Sequence, residues 1–170
     1  MQEPAIPEIE WFRTVYVIPE DRLRFACALK GGGSDVFWVT QRVANELVKS
    51  LLDWLDKTVQ EERLGDVVHS FAQQSAVASK PKRQPPRLPD TPGWLVHAVN
   101  ARTLPDRVTL TFRNNAGRAA CIHFDAVHLR RWLNVLHGQY RRSGWPLDLW
   151  PDWMAEAEGT PETADPGRLH

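Results

Sequence analysis

The feature that most constrains this chain is an apolar pattern that recurs, without gaps, at a spacing of 85 residues. Laying Asp21–Leu55 over Asp106–Tyr140 puts Leu23, Phe25 and Cys27 on Val108, Leu110 and Phe112, and Gly32 on Gly117. Phe37 and Val39 fall on Ile122 and Phe124, and Thr40 on Asp125. Ala44, Leu47, Val48, Leu51 and Leu55 fall on Leu129, Trp132, Leu133, Leu136 and Tyr140. Few residues are identical, but the register runs unbroken through several elements, which a chance match in one element does not do. The pattern predicts an internal duplication.

Each segment reads in the same order. The period-2 alternation of Arg22–Leu29 and of Arg107–Arg113 predicts strands with one buried face. Gly31-Gly32-Gly33-Ser34-Asp35 and Asn114-Asn115-Ala116-Gly117 follow as hairpin turns, because glycine and asparagine tolerate positive φ. Short strands come next, Val36–Val39 and Ala120–Phe124. Thr40 and Asp125 stand at N-cap positions, where a side-chain oxygen accepts from an otherwise unpaired helix N–H. Amphipathic helices are predicted over 41–58 and 126–142, the second ended by Gly144. Trp11–Ile18 and the weaker Trp94–Val99 supply a strand before each segment. The expected fold class is thus α+β, a tandem duplication of a β-β-β-α unit. Each unit is an antiparallel sheet covered on one face by an amphipathic helix.

The expected organisation places the first unit at 1–72, with a trailing helical segment around Leu64, Val67, Val68 and Phe71. A linker follows at 73–92, where proline and basic residues are dense. The second unit, at 93–154, ends in a tryptophan-rich strap, and an acidic, disordered tail occupies 155–170. The element order resembles that of Whirly-type and PUR-type single-stranded nucleic-acid-binding proteins, duplicated strand-rich units closed by a helix. That resemblance is one of architecture alone, with one strand fewer per unit and no shared motif.

With 42% hydrophobic and 25% charged residues among 170, a core can be built. No apolar run reaches the length of a membrane span, and the acidic, proline-containing start lacks the features of a secretory signal. Cys27 and Cys121 lie in alternating apolar segments and read as reduced core thiols. The expected location is the cytoplasm. The formal net charge of zero hides an asymmetry. Residues 1–79 carry 8 basic and 12 acidic side chains, residues 80–142 carry 12 and 3, and residues 143–170 carry 1 and 6. A basic middle between acidic ends attracts polyanions locally.

No catalytic motif, metal set or cofactor motif stands out, so the chain is expected not to be an enzyme and to need no cofactor. The Gly31–Gly33 run feeds a strand rather than a helix N-terminus, which excludes a phosphate cradle of the usual kind. His123 and His128 straddle a strand-to-helix boundary and do not make a metal pair. The candidate binding residues come from alternation. If Leu23, Phe25, Val108 and Leu110 face the helices, then Arg22, Arg24, Arg107, Thr109, Arg113, Trp38 and His123 face the other way. Arginines for phosphates and planar rings for bases suit single-stranded nucleic acid. Arg130, Arg131 and Arg141 extend the basic surface along the second helix. The competing reading is that these faces are merely solvated, or that Trp38 packs at a contact between units or subunits.

The leading expectation is thus a nucleic-acid-binding module, and the alternative is a protein–protein adaptor or assembly subunit, with a protein partner or a further copy of the chain. On that view Trp145, Trp150 and Trp153 are exposed anchors, unless they belong to the protein's own core. Trp132→Ala and Leu51→Ala are expected to cost about 2 to 5 kcal/mol each. Arg130→Ala, read as a surface change, is expected to cost less than about 0.5 kcal/mol.

Overall fold

A computed structural model describes residues 5–59, 65–79, 86–88 and 90–157. The fold is mixed α+β, with two mainly antiparallel sheets and four α-helices among these residues. The first sheet contains β1 (Ile9–Val17), β2 (Arg22–Leu29), β3 (Ser34–Val39) and the short β4 (Trp94–Leu95), in that order. The second contains β5 (Ala98–Thr103), β6 (Val108–Arg113) and β7 (Ala119–Phe124). Helix α1 (Gln41–Thr58) follows β3, and α3 (Ala126–Ser143) follows β7. Helix α2 (Gly65–Ala78) and the short α4 (Asp152–Ala157) complete the set.

Local chemistry accounts for most boundaries. The β2–β3 turn runs through Gly31, Gly32 and Gly33, all at positive φ, a conformation that residues with a Cβ resist. In the β6–β7 turn the Asn114 side-chain oxygen accepts from the backbone N–H groups of Ala116 and Arg118. The Thr40 hydroxyl accepts from Val43 N at 3.4 Å and the Asp125 carboxylate from His128 N at 2.8 Å, so both helices start at capped positions. Gly144 closes α3 in the left-handed conformation.

The two sheets meet through their inner faces. Phe25 lies 4.9 Å from Phe37 and 5.6 Å from Phe112, ring centre to ring centre, and Phe37 lies 4.7 Å from Phe112. One continuous core therefore runs through both sheets and helices α1, α3 and α4. The helices are exchanged between the sheets. Helix α3 packs against β1, with Trp132 Nε1 donating to Thr14 Oγ1 at 3.1 Å and the Gln139 side-chain oxygen accepting from Tyr16 N at 2.9 Å. Helix α1 packs against β5, and Trp54 Nε1 donates to Leu104 O at 3.0 Å. Tyr140 Oη donates to Asn45 Oδ1 at 2.7 Å and ties the two helices together.

The strands cross over as well. Strand β4 pairs in parallel with β3, Phe37 opposite Trp94, and Cys121 N on β7 donates to Pro7 O at 2.9 Å just ahead of β1. The expected strand over Trp94–Val99 is accordingly split. Its first two residues pair with β3, and after Val96 and His97 the chain joins β6 instead. The residues between 73 and 92 also differ from a plain linker. Helix α2 extends to Ala78, and Asp90–Gly93 lies on the first sheet. The run Lys80–Pro85 and the tail from 158 onward lie outside the described residues.

Gly93 shows how closely this segment is seated. It holds φ +79, and a Cβ there would fall 2.7 Å from Val36 Cγ1 and 2.8 Å from Val36 O. Gly93→Ala is expected to cost about 1 to 3 kcal/mol, from backbone strain and the forced separation of β3 from β4. Urea unfolding checks this, and an unchanged midpoint would show that the contact is dispensable.

Candidate nucleic-acid interface

Alternation sends every second residue of each strand outward, and the two outer faces have different fates. On the first sheet, Arg24 lies between Val15 and Trp38, and Ala26 between Arg13 and Val36. This face is partly occupied. Trp38 Nε1 donates to Pro92 O at 2.7 Å, an Arg24 Nη lies 3.6 Å from the Asp90 carboxylate, and Gly93 presses on Val36. Ala26 and Val36, also on this face, are buried. Trp38 and Arg24 are thus on the face that alternation assigns them, but a segment read as linker already engages both. Arg22 sits at the end of this face, half-buried opposite Val17.

The outer face of β5, β6 and β7 is uncovered among the described residues. Three cross-strand rows lie side by side on it. They are Arg102–Thr109–His123, Asn100–Thr111–Cys121 and Ala98–Arg113–Ala119. Arg102, Asn100, Ala98, Arg113 and His123 are exposed, and the central threonines are half-buried. His123 Nδ1 is 2.7 Å from Thr109 Oγ1, and its Nε2 is 3.6 Å from the Glu8 carboxylate. Glu8 also binds the Lys30 ammonium, and that hydrogen bond holds its carboxyl below the usual range. Arg107 is exposed in the β5–β6 turn, beside Leu104 N–H···O=C Arg107 at 2.8 Å. Arg102 and Asn100 were missed by the sequence reading because β5 shows no apolar alternation that would reveal a strand.

The residues expected on the second helix are placed elsewhere. Arg130 is 4% exposed. Its Nη2 lies 2.8 Å from His69 Nδ1, its Nη1 donates to His69 O at 3.4 Å, and its guanidinium sits 5.4 Å from the Trp153 ring centre. It is not a surface residue, because α2 packs over the row it occupies. Arg131 donates from Nε to Ala76 O and from Nη2 to Ser79 O, both at 2.9 Å, which satisfies carbonyls at the end of α2. Arg141 is exposed in the last turn of α3, far along the helix from these contacts.

The tryptophan strap is core, which removes the exposed anchors expected of Trp145, Trp150 and Trp153. All three are buried, at 6%, 7% and 4% exposure. Trp145 packs edge-on to Tyr16 and Tyr140 and donates from Nε1 to Asp21 Oδ1 at 3.0 Å. Tyr16 Oη donates to the same carboxylate oxygen at 2.6 Å, and these two bonds hold the Asp21 carboxyl below its ordinary pKa. Trp150 meets Tyr140 and His137, and Trp153 stacks on His69.

Among the described residues no group of three or more His, Cys, Asp or Glu side chains is placed to hold a metal ion. None of their helices is long and apolar enough to cross a membrane. Both thiols are free, with burial raising the pKa of each. The chain matches no protein-family model, no curated protein and no solved structure.

Proposed function

We propose that this protein is a non-enzymatic module that binds nucleic acid, with a preference for single strands, along the outer face of β5, β6 and β7. The observation that carries the reading is the open face itself. Small hydrogen-bonding side chains run down its centre, and Arg102, Arg107 and Arg113 stand around them. Arginines at both ends of the face can meet phosphates of an extended strand, and the threonines and Asn100 leave room for the backbone to approach. His123 is the planar ring available for a base to stack on. Trp38 and Arg24 stand outside this site, because Pro92 and Asp90 engage them.

The same proposal takes the two β-β-β-α segments as copies of one unit, acting in the cytoplasm. It is supported by β3 and β7, and by α1 and α3, which recur at the 85-residue spacing with a side-chain cap at each helix start.

Fluorescence anisotropy with a labelled oligonucleotide over a salt series tests the function. Replacing Arg102, Arg107 and Arg113 by alanine is expected to weaken binding and to lower the slope of log K against log salt by roughly 2, about 0.7 per lost phosphate contact on a single strand. A duplex of the same sequence is expected to bind more weakly. Absence of binding to both DNA and RNA at low salt would sink the reading. The adaptor reading would then be the better account, and a specific observation favours it. Val67 and Phe71 on α2 are 67% and 75% exposed, an apolar face of the kind protein partners cover.

A further inference from the structure

Helix α2 meets the rest of the protein with its polar side. His69, Gln73 and Ala76 are buried against it, while Val67, Val68 and Phe71 face outward. At the centre of the contact stands the His69 imidazole, 2% exposed. Arg130 of α3 approaches its Nδ1 at 2.8 Å, and Trp153 of α4 stacks on the ring at 4.7 Å and 12°. Asp56 of α1 lies 2.9 Å from its Nε2, within pairing distance but off the direction of a good hydrogen bond. A guanidinium only donates, so Nδ1 must accept and the ring proton sits on Nε2. Gln73 Nε2 adds a bond to Arg130 O at 2.7 Å.

We infer that this cluster is a proton-operated latch. A proton added from solvent to His69 Nδ1 removes the acceptor that Arg130 needs, sets two cations against each other in a buried site, and releases α2 from α3 and α4. The groups acting on the ring are named by element. Arg130 on α3 opposes the charge, whereas Asp56 on α1 and Asp66 in the first turn of α2 favour it, and Trp153 on α4 excludes water. Burial is the largest influence, followed by Arg130, and together they hold the pKa of docked His69 below its ordinary 6.5. The docked helix therefore prefers the neutral ring. Its docking is complete above the undocked pKa, about 6.5, and weakens as pH falls from there toward the lower docked value. Release uncovers Arg130, Arg131 and Trp153. The latch is independent of nucleic-acid binding.

Hydrogen-exchange mass spectrometry of the full chain between pH 7.5 and 5, corrected for intrinsic exchange, reads the opening directly. The opening of residues 65–78 is expected to rise below about pH 6.5, by up to about tenfold per pH unit, while α1 and the strands remain protected. His69→Gln offers one acceptor and one donor without titrating, and it is expected to abolish the rise. Asp56→Asn removes an anion that favours the charged ring and remains compatible with folding, since Asp56 is two-thirds exposed. It is expected to enlarge the rise. Opening of α2 that is independent of pH, a rise that persists in His69→Gln, or a smaller rise in Asp56→Asn would each overturn the latch.

Discussion

Trp132→Ala is expected to lower the free energy of unfolding by about 3 to 5 kcal/mol, the range for truncating a large buried aromatic residue. The indole is 6% exposed and joins the two halves of the chain. It stacks on Phe124 of β7 at 5.2 Å and 9°, and meets Phe12 of β1 and Phe25 of β2 at 5.5 and 6.0 Å. Its Nε1 donates to Thr14 Oγ1, a hydroxyl on a residue only 5% exposed. Truncation leaves a cavity among rings from both sheets and orphans that hydroxyl. Because α3 lies across β1 of the first sheet while Trp132 also stacks on β7 of the second, the damage is expected to be global, with one shifted, still cooperative transition in urea. A loss below about 1 kcal/mol would mean that the site collapses around the smaller side chain. Two separate transitions would mean that the halves do not share a core.

Arg130→Ala is expected to cost about 2 to 4 kcal/mol, several times the cost of an ordinary surface change. Burial pushes the arginine's pKa down to about 10, so it is still charged at neutral pH. Its alanine variant leaves His69 Nδ1 buried without a donor and removes the guanidinium from the Trp153 face. Arg42→Ala is the control, because Arg42 and its partner Glu46 are exposed on α1. That change is expected to stay within about 0.5 kcal/mol. Equal midpoints for the two variants in thermal or urea unfolding would show that the α2 contact contributes nothing to global stability.

Arg130 also shows where sequence reasoning stops. The stripe Leu129, Trp132, Leu133, Leu136 and Tyr140 is visible in the sequence, and all five are buried. The row beside it reads as polar and therefore as solvated. Whether a polar row is wet depends on whether another element covers it, and α2 does so with His69 and Gln73, 61 and 57 residues away from Arg130. Composition misleads in the same way at Asp90 and Pro92. Proline and charge suggest a free linker, yet Trp38 and Arg24 give these residues partners on a sheet face.

The sequence by itself determined the elements whose signals are local. Alternation in Arg22–Leu29, glycines at the β2–β3 turn, oxygen side chains at Thr40 and Asp125, and the 3.6-residue stripes of α1 and α3 each describe neighbours a few residues apart. Only the tertiary structure decided what each buried face meets. A helix with one apolar side must bury it, but nothing in its period distinguishes its own sheet from the other. The exchange of α1 onto β5 and α3 onto β1 was therefore invisible in the chain. The same holds for the candidate interface. Alternation assigns Trp38 and His123 to outer faces, but long-range packing partly covers one of those faces and, among the described residues, leaves the other open, because burial depends on distant segments that local pattern does not encode.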